Sequence, residues 1–154
     1  MDVFRMAAAK IMIVDDDLDM RELLGYQLRD LGHEPVYAVG GEEALALVQR
    51  ERPDLMLLDL ALPGGDGFLV LERLLGVPDW AMIPVIVFSG MSSPQAEERA
   101  LELGARDFIH KSLRGTELVE AIAIALLVAV VAQHTGDLGL AAQAPGGQLA
   151  RSAA

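Results

Sequence analysis

Pro53-Asp-Leu-Met-Leu-Leu-Asp59-Leu-Ala-Leu-Pro63-Gly-Gly-Asp-Gly67 is the stretch whose reading decides the fold. Leu55 to Leu58 is a short, continuous apolar run, the pattern of a strand buried on both faces. It stops at a carboxylate, Asp59, and enters a loop that Pro63, Gly64, Gly65 and Gly67 make unavoidable. A charge at the end of a buried strand costs several kcal/mol to desolvate unless something pairs it. In an open α/β sheet the same edge is where ligands bind. Asp59 is therefore either paired with a cation or is itself the site.

On either side the pattern repeats. Lys10 to Val14 is a β-branched strand that ends on three acids, Asp15, Asp16 and Asp17. The helix after it, with Met20, Leu23, Leu24, Gln27, Leu28 and Leu31 at helical spacing, is capped by Asp17 or Asp19 and stopped by Gly32. Glu34 to Val39 reads as a strand, Gly40-Gly41 as a turn, and Glu42 to Arg50 as a helix with Ala44, Leu45 and Val48 inward. Phe68 to Leu75 is the helix after Asp59, followed by a looser segment around Trp80. Pro84 to Phe88 is a fourth strand, ending on Ser89. Ser92 or Ser93 caps the next helix, with Pro94 in its first turn. Asp107 to His110 is a fifth strand ending on Lys111, and a last helix runs from about Thr116 to Ala132. Five βα units with near-continuous apolar strands predict an α/β fold with a parallel sheet, helices on both faces and right-handed crossovers. The expected organisation is an N-terminal extension over 1–9, one domain over 10–132, and a flexible Gly/Ala-rich tail over 133–154.

The totals exclude several classes. The chain has 154 residues, 53% hydrophobic and 23% charged, and so has room for a full core in one globular domain. It has no cysteine, which removes disulfides, zinc–thiolate sites and thiol catalysis. A formal charge of -11 without a basic run argues against nucleic acid as a partner. Met1 to Lys10 lacks the apolar core of a signal peptide. The uncharged run Ala121 to Ala132 falls short of the roughly 20 residues that span a bilayer. A cytoplasmic protein with no membrane partner is expected.

Collected at the carboxyl ends of the strands are Asp15, Asp16, Asp59, Ser89 and Lys111, which a parallel sheet places along one edge. Three carboxylates there repel one another and ask for a hard cation with oxygen ligands, of which Mg²⁺ is the natural choice. A hydroxyl and an ammonium beside the metal suit an added anion, with phosphoryl the obvious candidate. A carboxylate can accept it as an acyl phosphate. The 12 basic residues include only two lysines, Lys10 and Lys111, and at 111 a compact point charge suits a single phosphoryl oxygen.

Four motifs, Val14-Asp15-Asp16, Leu58-Asp59 with Leu62 to Gly67, Val87-Phe88-Ser89-Gly90, and Gly104 to Lys111, occur in order at family spacing. Together they resemble the CheY-like receiver domain of two-component response regulators over about Lys10 to Ala132. That resemblance implies a flavodoxin-like, doubly wound five-stranded sheet of order 2-1-3-4-5 and a phosphorylation-dependent signalling switch. By position, it implies that Asp59 is phosphorylated by a histidine kinase or phosphotransfer protein. Asp16 would be the direct Mg²⁺ ligand, Asp15 would reach the metal largely through water, and Ala61 would offer its backbone carbonyl. Ser89 would swing toward the phosphoryl group, Lys111 would pair with it, and Phe108 would be the rotating aromatic switch. Two departures stand out: Ser112 replaces the usual proline after the lysine, so the Lys111–Ser112 peptide is expected trans, and Phe108 replaces a common tyrosine.

The receiver reading makes the chain a phosphoacceptor and not an enzyme acting on other substrates. No DNA-binding or catalytic output domain is expected within these 154 residues, and a piece of a longer regulator would read the same. One alternative is a haloacid-dehalogenase-type phosphatase with Asp15 as nucleophile, but the acidic pair that should follow the lysine is absent. A degenerate receiver serving as a scaffold is disfavoured because every phosphorylation residue is present. Ala121 to Ala132 is apolar all round, so this helix should be buried on more than one side. A homodimer or a partner helix packed on Ile122, Leu126 and Val130 is expected.

Overall fold

The computed structural model describes residues 8–63, 67–91, 93–111 and 115–153, with side chains as far as Thr135. Five strands, β1 (Lys10–Val14), β2 (Glu34–Ala38), β3 (Leu55–Leu58), β4 (Val85–Ser89) and β5 (Asp107–His110), form one parallel sheet in the order 2-1-3-4-5. Between them run α1 (Leu18–Asp30), α2 (Gly41–Glu51), α3 (Gly67–Leu75), a short α4 (Pro78–Ala81) and α5 (Pro94–Glu102), and α6 (Gly115–Ala153) closes the fold. The flavodoxin-like order expected from the resemblance is the one observed.

Period-two alternation along the strands divides the core in two. Ile11, Ile13, Leu55, Leu57, Ile86 and Ile109 face α1 and α6. Met12, Val14, Met56, Leu58, Val85 and Val87 face α2, α3 and α5. Both faces of β3 are thus covered, which is why its apolar run is continuous and not alternating.

Local signals set most of the ends. Asp17 is the cap of α1, its carboxylate accepting the amides of Asp19 and Met20, so Asp19 is not. Ser93 caps α5, accepting the amide of Ala96, with Pro94 in the first turn. Gly32, at φ +90, lets the chain turn out of α1.

Several expectations are corrected. The segment around Trp80 is not loose: Val77 precedes a single helical turn, α4, with Pro78 supplying a preset first φ. β4 begins one residue later than expected and includes Ser89, which pairs with His110. On α1, Leu23 and Leu31 are exposed despite their spacing, because the buried stripe is Leu24, Gly25 and Leu28. Gly25 is there for room: a Cβ on it would overlap the Tyr37 hydroxyl.

The last helix departs most. α6 continues past Ala132, and the Thr135 hydroxyl donates to the Val131 carbonyl of the preceding turn. Its window Thr116–Thr135 is long and apolar enough to cross a membrane by length and composition, which the shorter uncharged run alone is not. One side of that window is nonetheless committed to the sheet through Leu118, Ala121, Ile122, Ala125 and Leu126. Ile122 and Leu126, expected on a contact face, are therefore core residues of their own domain. Val130 is exposed. The Lys111–Ser112 peptide lies outside the described residues, as do 1–7 of the N-terminal extension and Ser92.

Candidate functional site at the carboxyl edge of the sheet

Four of the five strand ends, those of β1, β3, β4 and β5, deliver groups to the same place. β1 ends in Asp15, whose amide bonds the carbonyl of Ala38, and β3 ends in Asp59, whose amide bonds the carbonyl of Val14. Lys111 follows β5 and is held by its amide on the Ser89 carbonyl. Asp15 and Asp59 are buried, at 2% and 5% exposure, and Ser89 is wholly buried, whereas Asp16 stands in solvent.

Every carboxylate oxygen of the two buried acids has a partner. Asp15 Oδ1 accepts the amide of Asp17 at 3.0 Å, and its Oδ2 pairs with Lys111 Nζ at 2.8 Å. Asp59 Oδ1 accepts both the Ser89 hydroxyl at 2.8 Å and the Ala61 amide at 3.1 Å. Its Oδ2 pairs with the same Lys111 Nζ at 3.0 Å. The Ser89 hydroxyl in turn accepts the amide of Met91 at 3.1 Å, which fixes it toward Asp59.

Magnitudes explain why the lysine sits between the acids. Carboxyl oxygens of Asp15, Asp16 and Asp59 lie within 4.8 Å of one another. At an effective dielectric near 20, two such charges repel by about 3 kcal/mol, while an ion pair near 3 Å returns about 5 kcal/mol. One ammonium shared by two acids therefore outweighs their repulsion, even after a share is lost to desolvation. Burial pulls the Lys111 pKa down, but the hydrogen bonds and charges of Asp15 and Asp59 overcome it and hold the ammonium above its ordinary value. The residue stays charged.

The backbone around the acids is close-packed. A Cβ on Gly67 would lie 2.5 Å from the Asp59 carbonyl oxygen and 2.7 Å from Leu60 Cα, so only glycine lets α3 begin against this loop. The Gly67 amide donates to the Leu60 carbonyl at 2.9 Å.

Three hard oxygen donors on one strand edge fit a dication such as Mg²⁺, which takes one or two carboxylates plus waters and phosphate oxygens. The Lys111 ammonium occupies one oxygen of each buried acid, so a dication would compete with it.

The residues expected to gather do so: Asp15, Asp16, Asp59, Ser89 and Lys111 converge, with Ala61 contributing its amide to Asp59. Phe108 does not touch the acids. It sits half-buried on β5, in register with Val87, against the core beneath α5. The residue that sequence reading missed is Arg21, whose guanidinium donates to the Asp15 carbonyl at 2.7 Å and ties α1 to the site loop. His110 is a second, its ring within 3.2 Å of the Gly90 carbonyl, beside Ser89. An arginine one turn into a helix after an acidic strand end was the available signal for Arg21; nothing local marked His110.

Comparison with known proteins agrees with this geometry. The model of the response regulator receiver domain matches residues 11–123. A protein of Porphyridium aerugineum named "Probable transcriptional regulator ycf27" is 36% identical over 113 residues, covering 73% of this chain. This chain spans only 46% of that relative's length. An uncharacterized 14.6 kDa protein of Leptolyngbya boryana is 33% identical over 117 residues, covering 76% of this chain and 89% of its own. The BeF3-activated N-terminal receiver domain of RstA from Klebsiella pneumoniae superposes with a TM-score of 0.70 at 30% identity, covering 76% of this chain and 97% of its own. With the sheet order, the acidic edge and a family match over most of its length, this chain belongs to the receiver domains of two-component response regulators, the phosphorylation-dependent switches of signal transduction.

Proposed function

We propose that Asp59 is the phosphoryl acceptor of this receiver and that Asp15, Asp16, Asp59 and the Ala61 carbonyl hold Mg²⁺ for the transfer. The single observation that supports this best is the pairing of both buried acids with one ammonium, which compensates the acceptor carboxylate at the sheet edge. In the transfer, an Asp59 oxygen forms the O–P bond as the P–N bond to a phosphohistidine of the donor protein breaks, and the leaving imidazole takes a proton from solvent. Lys111 and Ser89 then pair with phosphoryl oxygens, the former by charge and the latter by its hydroxyl. Bound Mg²⁺ supplies neutralisation of the incoming anion's charge. Phe108 would report the change through its packing beneath α5.

The partner would be a histidine kinase or a phosphotransfer protein, with output by protein contact, including a second chain or a partner helix on α6. The phosphatase alternative is not favoured, since the chain matches the response regulator receiver domain over residues 11–123. Residues 10–132 would suffice for the chemistry, and a chain truncated after Ala132 should label as the whole chain does.

The test is incubation with a small phosphodonor, followed by intact mass. One phosphoryl group should add only when a divalent cation is present, and none to Asp59→Asn. Full labelling of Asp59→Asn, or of the wild type in excess chelator, would refute the assignment.

A further inference from the structure

Among the described residues, nothing covers the second apolar face of α6. Ile122 is buried on the sheet at 2% exposure. Val131 follows it by nine residues, about two and a half turns at 3.6 residues per turn, and so stands on the opposite side. There Ile124 is 62%, Leu127 55% and Val131 51% exposed. These three advance by three and then four residues, the spacing of a coiled-coil seam, and Val128 lies beside them. No Asp, Glu, Lys or Arg occurs from Ala121 to Thr135.

We propose that a second copy of this chain covers that face, its α6 running antiparallel to the first about a two-fold axis between Leu127 and Val128. The inference rests on the reading that a helix packs on α6 and commits it to one occupant and one direction. Charge argues for the occupant. At -11, two copies repel through most of their surface, and this face is one through which they can meet without burying ionised groups. Symmetry argues for it as well: reversing the helix about that axis sets Ile124 opposite Val131 of the second copy and Leu127 opposite its Val128, so the seam is its own complement. Direction follows from the ends. The exposed Glu117 and Glu120 precede the seam on α6. A parallel pair would set them against their own counterparts, like charges at short range, whereas about this axis an antiparallel pair sets Glu120 against Thr135. Antiparallel helix dipoles also attract.

The absence of cysteine makes the test clean. Ile124→Cys and Val131→Cys chains, tagged to differ in mass, are oxidised separately and as a mixture, with circular dichroism checking that each folds. The proposal expects the mixture to give the mixed disulfide in several-fold excess over either self-linked dimer. Self-linked dimers at equal or greater yield would overturn the antiparallel direction. Wild type that sediments as a monomer at high concentration, with no linked species, would overturn the second copy and leave a foreign helix as occupant. A monomer that instead binds phosphatidylcholine vesicles would overturn the helix partner altogether. None of these outcomes bears on phosphoryl labelling of Asp59, so the two readings fail separately.

Discussion

The chain has two lysines, and the fold puts one at each end of the sheet, each beside two carboxylates. At the amino end, Lys10 reaches Glu51 at 3.5 Å and Glu34 at 3.8 Å, with its side chain 32% exposed. At the carboxyl end, Lys111 reaches Asp15 at 2.8 Å and Asp59 at 3.0 Å, both acids sealed in the fold. Identical charges in the same arrangement thus differ in distance and in burial. Exposed pairs at the distances of Lys10 contribute about 0 to 1 kcal/mol. Removing one partner of a buried pair costs about 3 to 5 kcal/mol, because the other charge is left uncompensated. Composition cannot tell a solvated ion pair from a poised site; depth and distance can.

The sharpest way to break this contrast is Lys111→Met. It should lower the stability of the metal-free protein by about 3 to 5 kcal/mol in urea unfolding. Part of that loss should return with millimolar-range Mg²⁺, since a dication can take over between the same acids. A loss below about 1 kcal/mol would mean that the acids are not as sealed as their burial implies.

Next in size is Ser89→Ala. It removes the hydroxyl that bridges Met91 and Asp59, leaving one buried carboxylate oxygen with the Ala61 amide alone. A cost of about 1 to 3 kcal/mol is expected by the same unfolding assay, with phosphoryl transfer slowed but not abolished.

The amino end offers a pH test. The buried His33 ring accepts the Ala9 amide at Nδ1, which a neutral ring can do and a doubly protonated one cannot. Burial lowers its pKa, with the Asp54 charge opposing in part. The folded value therefore lies below the ordinary 6.5, so the contribution is complete above pH 6.5 and is lost as pH falls through 6.5 toward the folded value. Wild type should lose more stability than His33→Asn between pH 7 and pH 5.5; equal slopes would contradict this.

Smallest of all should be Lys10→Met, at under about 1 kcal/mol and fading in salt. If it matched Lys111→Met, the difference between the two ends would vanish.

Much of this was legible in the sequence because the signals are local. A buried strand shows as an apolar run, and its end shows as the first charge that cannot stay inside; hence Asp15, Asp59 and Lys111. What the sequence could not show depends on contacts between distant elements. Lys111 was expected to wait for a phosphoryl oxygen, but at rest it neutralises Asp15 and Asp59, a pairing that exists only once β1, β3 and β5 lie side by side. Leu23 looked inward by spacing, yet α1 turns Leu24, Gly25 and Leu28 to the core, with the Tyr37 hydroxyl against Gly25. In α6 both faces are apolar, so hydropathy could not say that Ile122 goes in and Val131 goes out. Only packing on the sheet decides it.

The central claim, that the carboxylate closing β3 is the acceptor, is tested most directly by trapping the acyl phosphate. Borohydride reduces such an adduct to the alcohol, turning the modified aspartate into homoserine, and peptide mass spectrometry locates it. After treatment with phosphodonor and Mg²⁺, homoserine should appear at position 59 alone. Homoserine at 15 or 16 with none at 59 would contradict the account and move the nucleophile to the end of β1.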